Sequence, residues 1–387
     1  MLTGPAGGWV RFLPLLMTDT PWFTITNVDA LDTPALVVYP DRIRRNIDRL
    51  LGAVGGDTRR LRPHVKTHKS PEVTRLLLDA GLTQFKCATI AEAEMLARAG
   101  APDVLLAYQP MPPKQDRLLQ LIDTYPDTLF SCLVDNLATA QALSDRAQRA
   151  GAIVPVYVDL NVGMNRTGIQ PDAAVLDLYE ALASLPGVQP VGLHAYDGHL
   201  RDRDIEHRRV AIDATFAPVA HLRELLRGRG YEPVIVAGGS PTFPIHSQRP
   251  DVVASPGTFV YWDEGYGTGL PEQPFEPAAL VVGRIISLPT PTSLTIDIGH
   301  KSVAAESPLP QRIRFLNAPD LQATGQSEEH LVVEAGANHG YQVGDVVYGL
   351  PYHICPTVAL YERTYPVVDG QIGAPWFTTA RDRVLTV

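Results

Sequence analysis

The stretch LFSCLVDNLATAQALSDRAQRAGAIVPVYVDL, from Leu129 to Leu160, holds the unit from which the fold is read. A short apolar run (Leu129–Val134) gives way to an amphipathic segment (Asn136–Ala150), a glycine stop at Gly151 and a second apolar run (Val154–Leu160). Runs of this length suit strands buried on both faces, and a helix between two of them makes a parallel pair with a crossover. The rhythm continues in both directions. Apolar runs recur at Ala35–Tyr39, Arg62–Thr67, Gln84–Thr89, Val104–Tyr108, Pro190–Ala195 and Val234–Ala237, with helical patterns such as Asp41–Val54, Pro71–Ala80, Ala91–Ala99, Asp172–Leu185 and Asp204–Arg229 between them. Eight such units in one run predict a (β/α)8 TIM-type barrel. A doubly wound open sheet is the alternative, because strand order is not written in the sequence.

After Gly257 the rhythm changes. Strand-like segments at Ala279–Ser287, Leu294–Ile298, Gln311–Phe315, Leu331–Ala335 and Val346–Leu350 follow at short spacing with turn residues between them, which predicts a second, all-β domain. Trp22–Val28 alternates in polarity and is expected to lend that domain a strand. The division expected is a barrel over residues 30–260, a β domain from residues 22–29 and 261–387, and an extension over residues 1–21. The apolar stretch Trp9–Met17 is broken by Arg11 and Pro14 and has no small-residue cleavage site after it, so it reads as part of the extension, upstream of an alternative start at Met17.

Composition bounds the function. The 387 residues carry 33 Lys+Arg against 42 Asp+Glu, a net charge of −9. A general attraction to nucleic acid or anionic membrane is thereby disfavoured, and an anionic ligand must be held by a local site. No apolar run reaches the ~20 residues of a membrane helix. The three cysteines, Cys87, Cys132 and Cys355, cannot all pair with one another and show no clustered spacing, which points to a reduced, cytoplasmic protein.

In a barrel, chemistry gathers at the C-terminal ends of the strands. Four clusters fall there: Arg62-Pro63-His64-Val65-Lys66-Thr67-His68-Lys69, the block Asp159 to Gly168 containing Arg166, the run Gly192 to His199 containing His194 and Tyr196, and Ala237-Gly238-Gly239-Ser240-Pro241-Thr242 with Ser255-Pro256-Gly257-Thr258 behind it. Each has an ordinary structural explanation when taken alone: a basic loop, a glycine turn closed by an ion pair, a satisfied core histidine, a tight turn. Together they supply a lysine suited to nucleophilic attack, an arginine fork for an oxyanion, and late glycines that let backbone N–H groups approach a phosphate. Lysine, arginine and phosphate cradle together suggest pyridoxal phosphate.

The block Arg62 to Lys69 closely resembles the cofactor-lysine motif of the D-threonine aldolase and D-serine dehydratase family, of the alanine-racemase-like fold type III of pyridoxal phosphate enzymes. Asp32-Thr33-Pro34-Ala35, the Asp159–Gly168 block, Gly192–Tyr196 and Gly238-Gly239-Ser240 occur in the expected order, so the resemblance covers the chain from about Trp22. It implies that Lys66 is the internal aldimine lysine, that Arg166 contacts the phenolic oxygen, and that Tyr196, Gly238, Gly239, Ser240, Gly257 and Thr258 hold the phosphate and ring. His64 and His194 would lie near the cofactor, with His64 the candidate for proton shuttling.

A fifth cluster, Pro351-Tyr352-His353-Ile354-Cys355-Pro356-Thr357, lies in the expected β domain. On a strand, residues two apart share a face, so His353 and Cys355 can converge on one cation. The resemblance implies a divalent metal there, beside the cofactor. Aldolase members tend to carry His-x-Asp and dehydratase members His-x-Cys; cysteine favours zinc, aspartate manganese or magnesium. The expected function is a lyase acting on β-hydroxy-D-amino acids, by retro-aldol cleavage to glycine and an aldehyde. The alternative is D-serine or D-threonine dehydration, with amino-acid racemisation and non-catalytic cofactor binding behind it. A small-molecule substrate and a homodimer complete the expectation. His300 and the run Ser327 to His330 read as turns.

Overall fold

Residues 20–387 are described in a computed structural model, so the expected extension over residues 1–21, Met17 included, lies almost wholly outside the described residues. After β1 (Ala35–Val38), seven strands run parallel in chain order: β2 (Gln84–Cys87), β3 (Asp103–Leu106), β4 (Leu129–Val134), β5 (Val154–Leu160), β6 (Val188–Ala195), β7 (Val234–Ala237) and β8 (Val252–Ala254). Helices cross between them as the rhythm requires. The helix in the opening stretch is Leu137–Arg149; Asn136 caps it by accepting from the Thr139 N–H at 2.9 Å, and Gly151, at φ 68°, turns the chain out of it.

The eighth place in the barrel is taken by residues 61–64. Leu61 bridges to Ala254 of β8 and His64 to Lys86 of β2, both in parallel sense. The Arg62 N–H donates to Ala254 O at 2.9 Å, and the Lys86 N–H to Pro63 O at 2.8 Å. Pro63 has no N–H to continue a ladder, and Val65–Thr67 winds into a 3-10 turn, so the expected strand Arg62–Thr67 is a short extended seam instead. Leu105, Leu133, Tyr157 and Val236 fill the barrel interior, and most other buried apolar residues of the strands pack outward against the helices.

β1 corrects the expected strand count. The rhythm places Ala35–Tyr39 in the barrel, yet β1 lies antiparallel to β9 (Ala279–Ser287) and parallel to β15 (Arg363–Val368) in the other sheet. β8 replaces it in the barrel, so the total of eight is kept while the membership shifts by one. The second sheet has ten strands: β1, β9, β10 (Ser293–Ile296), β11 (Ile313–Phe315), β12 (Gln322–Gln326), β13 (Leu331–Glu334), β14 (Val346–Pro351), β15, β16 (Gln371–Ile372) and β17 (Trp376–Phe377). Its main path is β12-β13-β10-β9-β1-β15-β16, with β14 added on β9.

Trp22–Val28 does not form the expected strand. It makes turns whose Phe23, Ile25 and Val28 pack on the sheet beside Val37, Leu280 and Tyr348. The Pro351–Thr357 cluster also changes. β14 ends at Pro351, His353 precedes the short helix Ile354–Val358, and Cys355 lies on that helix, so the two are not strand neighbours on one face. Among the described residues, no helix is long and apolar enough to cross a membrane.

Candidate active site

The seam between β8 and β2 sets the position of Lys66. His64 ends the extended segment, and its Nδ1 accepts from the Lys66 N–H at 3.2 Å, which fixes the start of the turn. Nδ1 is thus an acceptor, and the neutral imidazole carries its proton on Nε2. Burial, followed by the charges of Lys66, Lys86 and Lys69, holds this ring well below the usual histidine range. Below it Arg62, 2 % exposed, clasps Asp103 at 2.6 and 2.7 Å and anchors the seam.

Asp159 on β5 and His194 on β6 are register partners, so their side chains meet, with Nδ1 2.7 Å from Oδ1. Burial pushes Asp159 up, but the hydrogen bonds from His194 and Thr167 and the charges around it bring it below the usual carboxylate range. Burial keeps His194 low as well. The pair is therefore carboxylate and neutral imidazole, with the proton on Nδ1. Nε2 of His194 is buried and has no partner among the described residues.

Above these groups opens a cavity of about 250 Å3, lined among others by His64, Lys66, Arg166, His194, Tyr196, Gly239, Ser240, Gly257 and Thr258. Nine of the residues singled out in the sequence thus line one cavity. Gly238 lies just behind it: at φ 82°, a Cβ there would come within 2.8 Å of His246 and 2.9 Å of Thr242. The loop after β7 is braced from beneath. Thr242 Oγ1 accepts from the Gly239 N–H and donates to Asp197 Oδ1 at 2.6 Å, while His246 Nε2 lies 2.7 Å from Asp197 Oδ2. Ser240 Oγ accepts from the N–H groups of Gly257 and Thr258 and ties this loop to the one after β8.

The cavity carries positive charge. Arg166, Lys86 and Lys66 stand 5.0, 5.8 and 6.0 Å from the centre of the Tyr196 ring. The nearby carboxylates of Asp159 and Asp197 are already engaged. Lys86 was not singled out in the sequence, where it sits unremarked between Phe85 and Cys87. A second cavity, of about 280 Å3, adjoins the first through Tyr266, which lines both; Arg201, Asp263, Tyr352 and His353 are on its wall. His353 Nδ1 lies 2.5 Å from Glu306 Oε1. Cys355 Sγ is 3.1 Å from Thr67 Oγ1 and 3.7 Å from Thr258 Oγ1, so the β domain touches the cofactor-side loops. Among the described residues no three His, Cys, Asp or Glu side chains converge as a metal cluster.

The barrel, its strand-end lysine and this cation-lined cavity define an alanine-racemase-like enzyme of pyridoxal phosphate. The chain belongs to the family described as alanine racemase, N-terminal domain, which it matches over residues 38–264; residues 278–368 match the putative serine dehydratase domain. It is 29 % identical over 358 residues to a D-threonine aldolase of Arthrobacter sp (91 % of this chain, 93 % of that protein). It is 27 % identical over 377 residues to a 3-hydroxy-D-aspartate aldolase of Paracoccus denitrificans (strain Pd 1222), covering 94 % and 96 %. A D-threo-3-hydroxyaspartate dehydratase of Delftia sp. (strain HT23) is 31 % identical over 239 residues, 60 % of this chain and 62 % of that one. The crystal structure of a D-threonine aldolase from Filomicrobium marinum superposes with a TM-score of 0.84 at 26 % identity, covering 92 % and 96 %.

The residues present fit the cofactor. Arg166 and Lys86, without a matching set of free carboxylates, suit a phosphate and a phenolic oxygen, the Lys66 amine suits an aldehyde, and the orphaned His194 Nε2 needs a partner. At Gly239 a Cβ would stand 2.9 Å from the Tyr196 ring, so the bare backbone lets loop and ring close together around a ligand.

Proposed function

We propose that the protein is a pyridoxal-phosphate-dependent lyase acting on β-hydroxy-D-amino acids, cleaving D-threonine to glycine and acetaldehyde. The observation that carries this is the adjacency of two cavities through Tyr266, one holding Lys66 and the cations, the other bordered by His353. A substrate whose amino group faces Lys66 would then have its β-hydroxyl on the side of the second cavity, which His353 borders.

In this reading Lys66 would hold the cofactor through its aldehyde carbon, and Arg166 would hold the phenolic oxygen. The loops of Gly238, Gly239, Ser240, Gly257 and Thr258 would hold the phosphate, Tyr196 would border the ring, and His194 Nε2 would be free to meet it. The cofactor, when bound, supplies an electron sink for charge developing at the α carbon. His64, neutral and with its proton on Nε2, serves as a hydrogen-bond donor and passes a proton only by way of that nitrogen. His353 and Cys355 would hold the divalent cation, and imidazole with thiolate suits zinc ahead of manganese or magnesium. Such a cation would supply positive charge beside the β-oxygen. The cysteine at position 355 favours a second reading, dehydration of D-serine or D-threonine to a 2-oxo acid and ammonia.

Incubation with D-threonine, assaying acetaldehyde, glycine and 2-oxobutyrate together, separates the two. Acetaldehyde and glycine in equal amounts are expected; 2-oxobutyrate alone would replace the aldolase reading with the dehydratase. Lys66→Ala is expected to lose the visible absorbance of the lysine-bound cofactor, and an unchanged band with unchanged turnover would remove Lys66 from its role. A cytoplasmic homodimer accompanies this proposal: the three free cysteines suit a reducing compartment, and the dimer rests on the resemblance alone. Its mass in solution, measured by light scattering, tests the oligomeric state.

A further inference from the structure

Lys86 is the one cation of the cavity that lies on a barrel strand. Its neighbours Phe85 and Cys87 face the helices and belong to the main core, so Lys86 points inward. Its register partner on β3 is Leu105, a member of the interior apolar layer. The backbone is held on the other side by its N–H to Pro63 O, and 2 % of the residue is exposed. Among the described residues, no side chain forms a hydrogen bond or ion pair with Nζ. Arg62, Lys66, Arg166, His64 and His194 surround it with positive or neutral groups, and the carboxylates of Asp159 and Asp197 are held by other residues. A lysine is almost never buried this deeply unless paired, and a methionine of similar reach would fill the same floor without the cost of desolvating an ammonium.

We propose that Lys86 is a cofactor-holding residue of this site, whose ammonium is the counter-charge to an anionic oxygen of bound pyridoxal phosphate. This rests on the cofactor reading above and adds to it a residue that the family motif does not contain. Burial, and next the charge of Lys66, push the free Lys86 amine down to about 7, so an arriving anion supplies both the partner and the reason to keep the proton. The same charge opposes protonation of the nitrogen that links Lys66 to the cofactor, since like charges in one cavity disfavour each other.

The test uses Lys86→Met and Lys86→Gln beside the wild type, each stripped of cofactor and titrated with pyridoxal phosphate. Both variants are expected to bind about tenfold more weakly or worse, and the pH midpoint of their visible band to rise by about one unit, the shift of a lost neighbouring charge. Both readouts are independent of turnover. Wild-type affinity and an unshifted midpoint in both variants would overturn the proposal. So would wild-type behaviour in Lys86→Gln alone, which would replace charge by hydrogen bonding. If Lys86→Met does not fold, Lys86→Gln carries the measurement. A wild-type protein that gains no visible band from pyridoxal phosphate would end the cofactor reading itself, and the role of Lys86 with it.

Discussion

Two lysines of this cavity differ in how readily a sequence discloses them. Lys66 stands in a run of basic residues after an apolar segment, and its block resembles a known motif. Lys86 sits in Gln84-Phe85-Lys86-Cys87, where a single charge reads as the polar member of an ordinary strand. Its inward parity is defined only once Phe85 and Cys87 are seen to face the helices. The pairing of Asp159 with His194 was hidden for a related reason, because it depends on the register of two strands. Burial of Lys86 also has a thermodynamic signature. Its amine falls from 10.5 unfolded to about 7 folded, so between those values the unfolded chain binds more protons and stability rises with pH. Below about 7 the cost is full, on the order of several kcal/mol, and above about 10 it is gone. In cofactor-free protein, urea denaturation at pH 7 and pH 10 is expected to show Lys86→Met more stable than wild type at the lower pH, with the gap closing at the higher. A gap independent of pH would contradict the buried ammonium.

At the scale of elements, the loops after β7 and β8 and the seam at 61–64 are built as one unit. A Cβ on Gly257 would meet His64 O at 2.9 Å and His64 Cβ at 3.1 Å, so alanine there displaces the backbone that precedes Lys66. Gly257→Ala is expected to cost about 1–3 kcal/mol and to weaken cofactor binding. Gly228, at the end of the helix Ile205–Gly228, has nothing within 4 Å of its Cβ position, so Gly228→Ala is expected to be neutral or to stabilise by up to about 1 kcal/mol. Thermal melting and cofactor titration of both variants check the contrast, and equal effects would sink the account of the seam. The barrel was legible because alternating runs and helices leave few architectures. The membership of β1 was not, because Ala-Leu-Val-Val suits the middle of either sheet. β8, of three residues, was too short to read, and Pro63 disguised a seam as a strand. The glycines were legible as a cradle, but Thr242, Asp197 and His246 beneath them were not, since Asp197 meets the other two only after the chain has crossed a helix and a strand.

For the whole molecule, the site divides between two parts of the chain. The barrel contributes the cations and the loops that suit the cofactor, and the β domain contributes His353 and Cys355. They meet where Cys355 Sγ approaches Thr67 and Thr258, and where Tyr266 borders both cavities. The sequence reading sets His353 and Cys355 on a strand; the structure puts them at the start of a short helix, with Cys355 against Thr67 and Thr258. This division makes the two halves separable in an experiment. Neither His353 nor Cys355 lines the cation-rich cavity, so removal of the metal proposed for them is expected to leave cofactor binding intact while weakening whatever acts on the β-oxygen. Dialysis against a chelator, and separately Cys355→Ala, are expected to leave the visible band of the cofactor unchanged and to lower turnover of D-threonine by about a hundredfold. Zinc added back is expected to restore the dialysed wild type but not Cys355→Ala. Full turnover in metal-free protein would reduce His353 and Cys355 to structural residues. Loss of the visible band on chelation would show that the two halves act as one and that the cofactor depends on the metal.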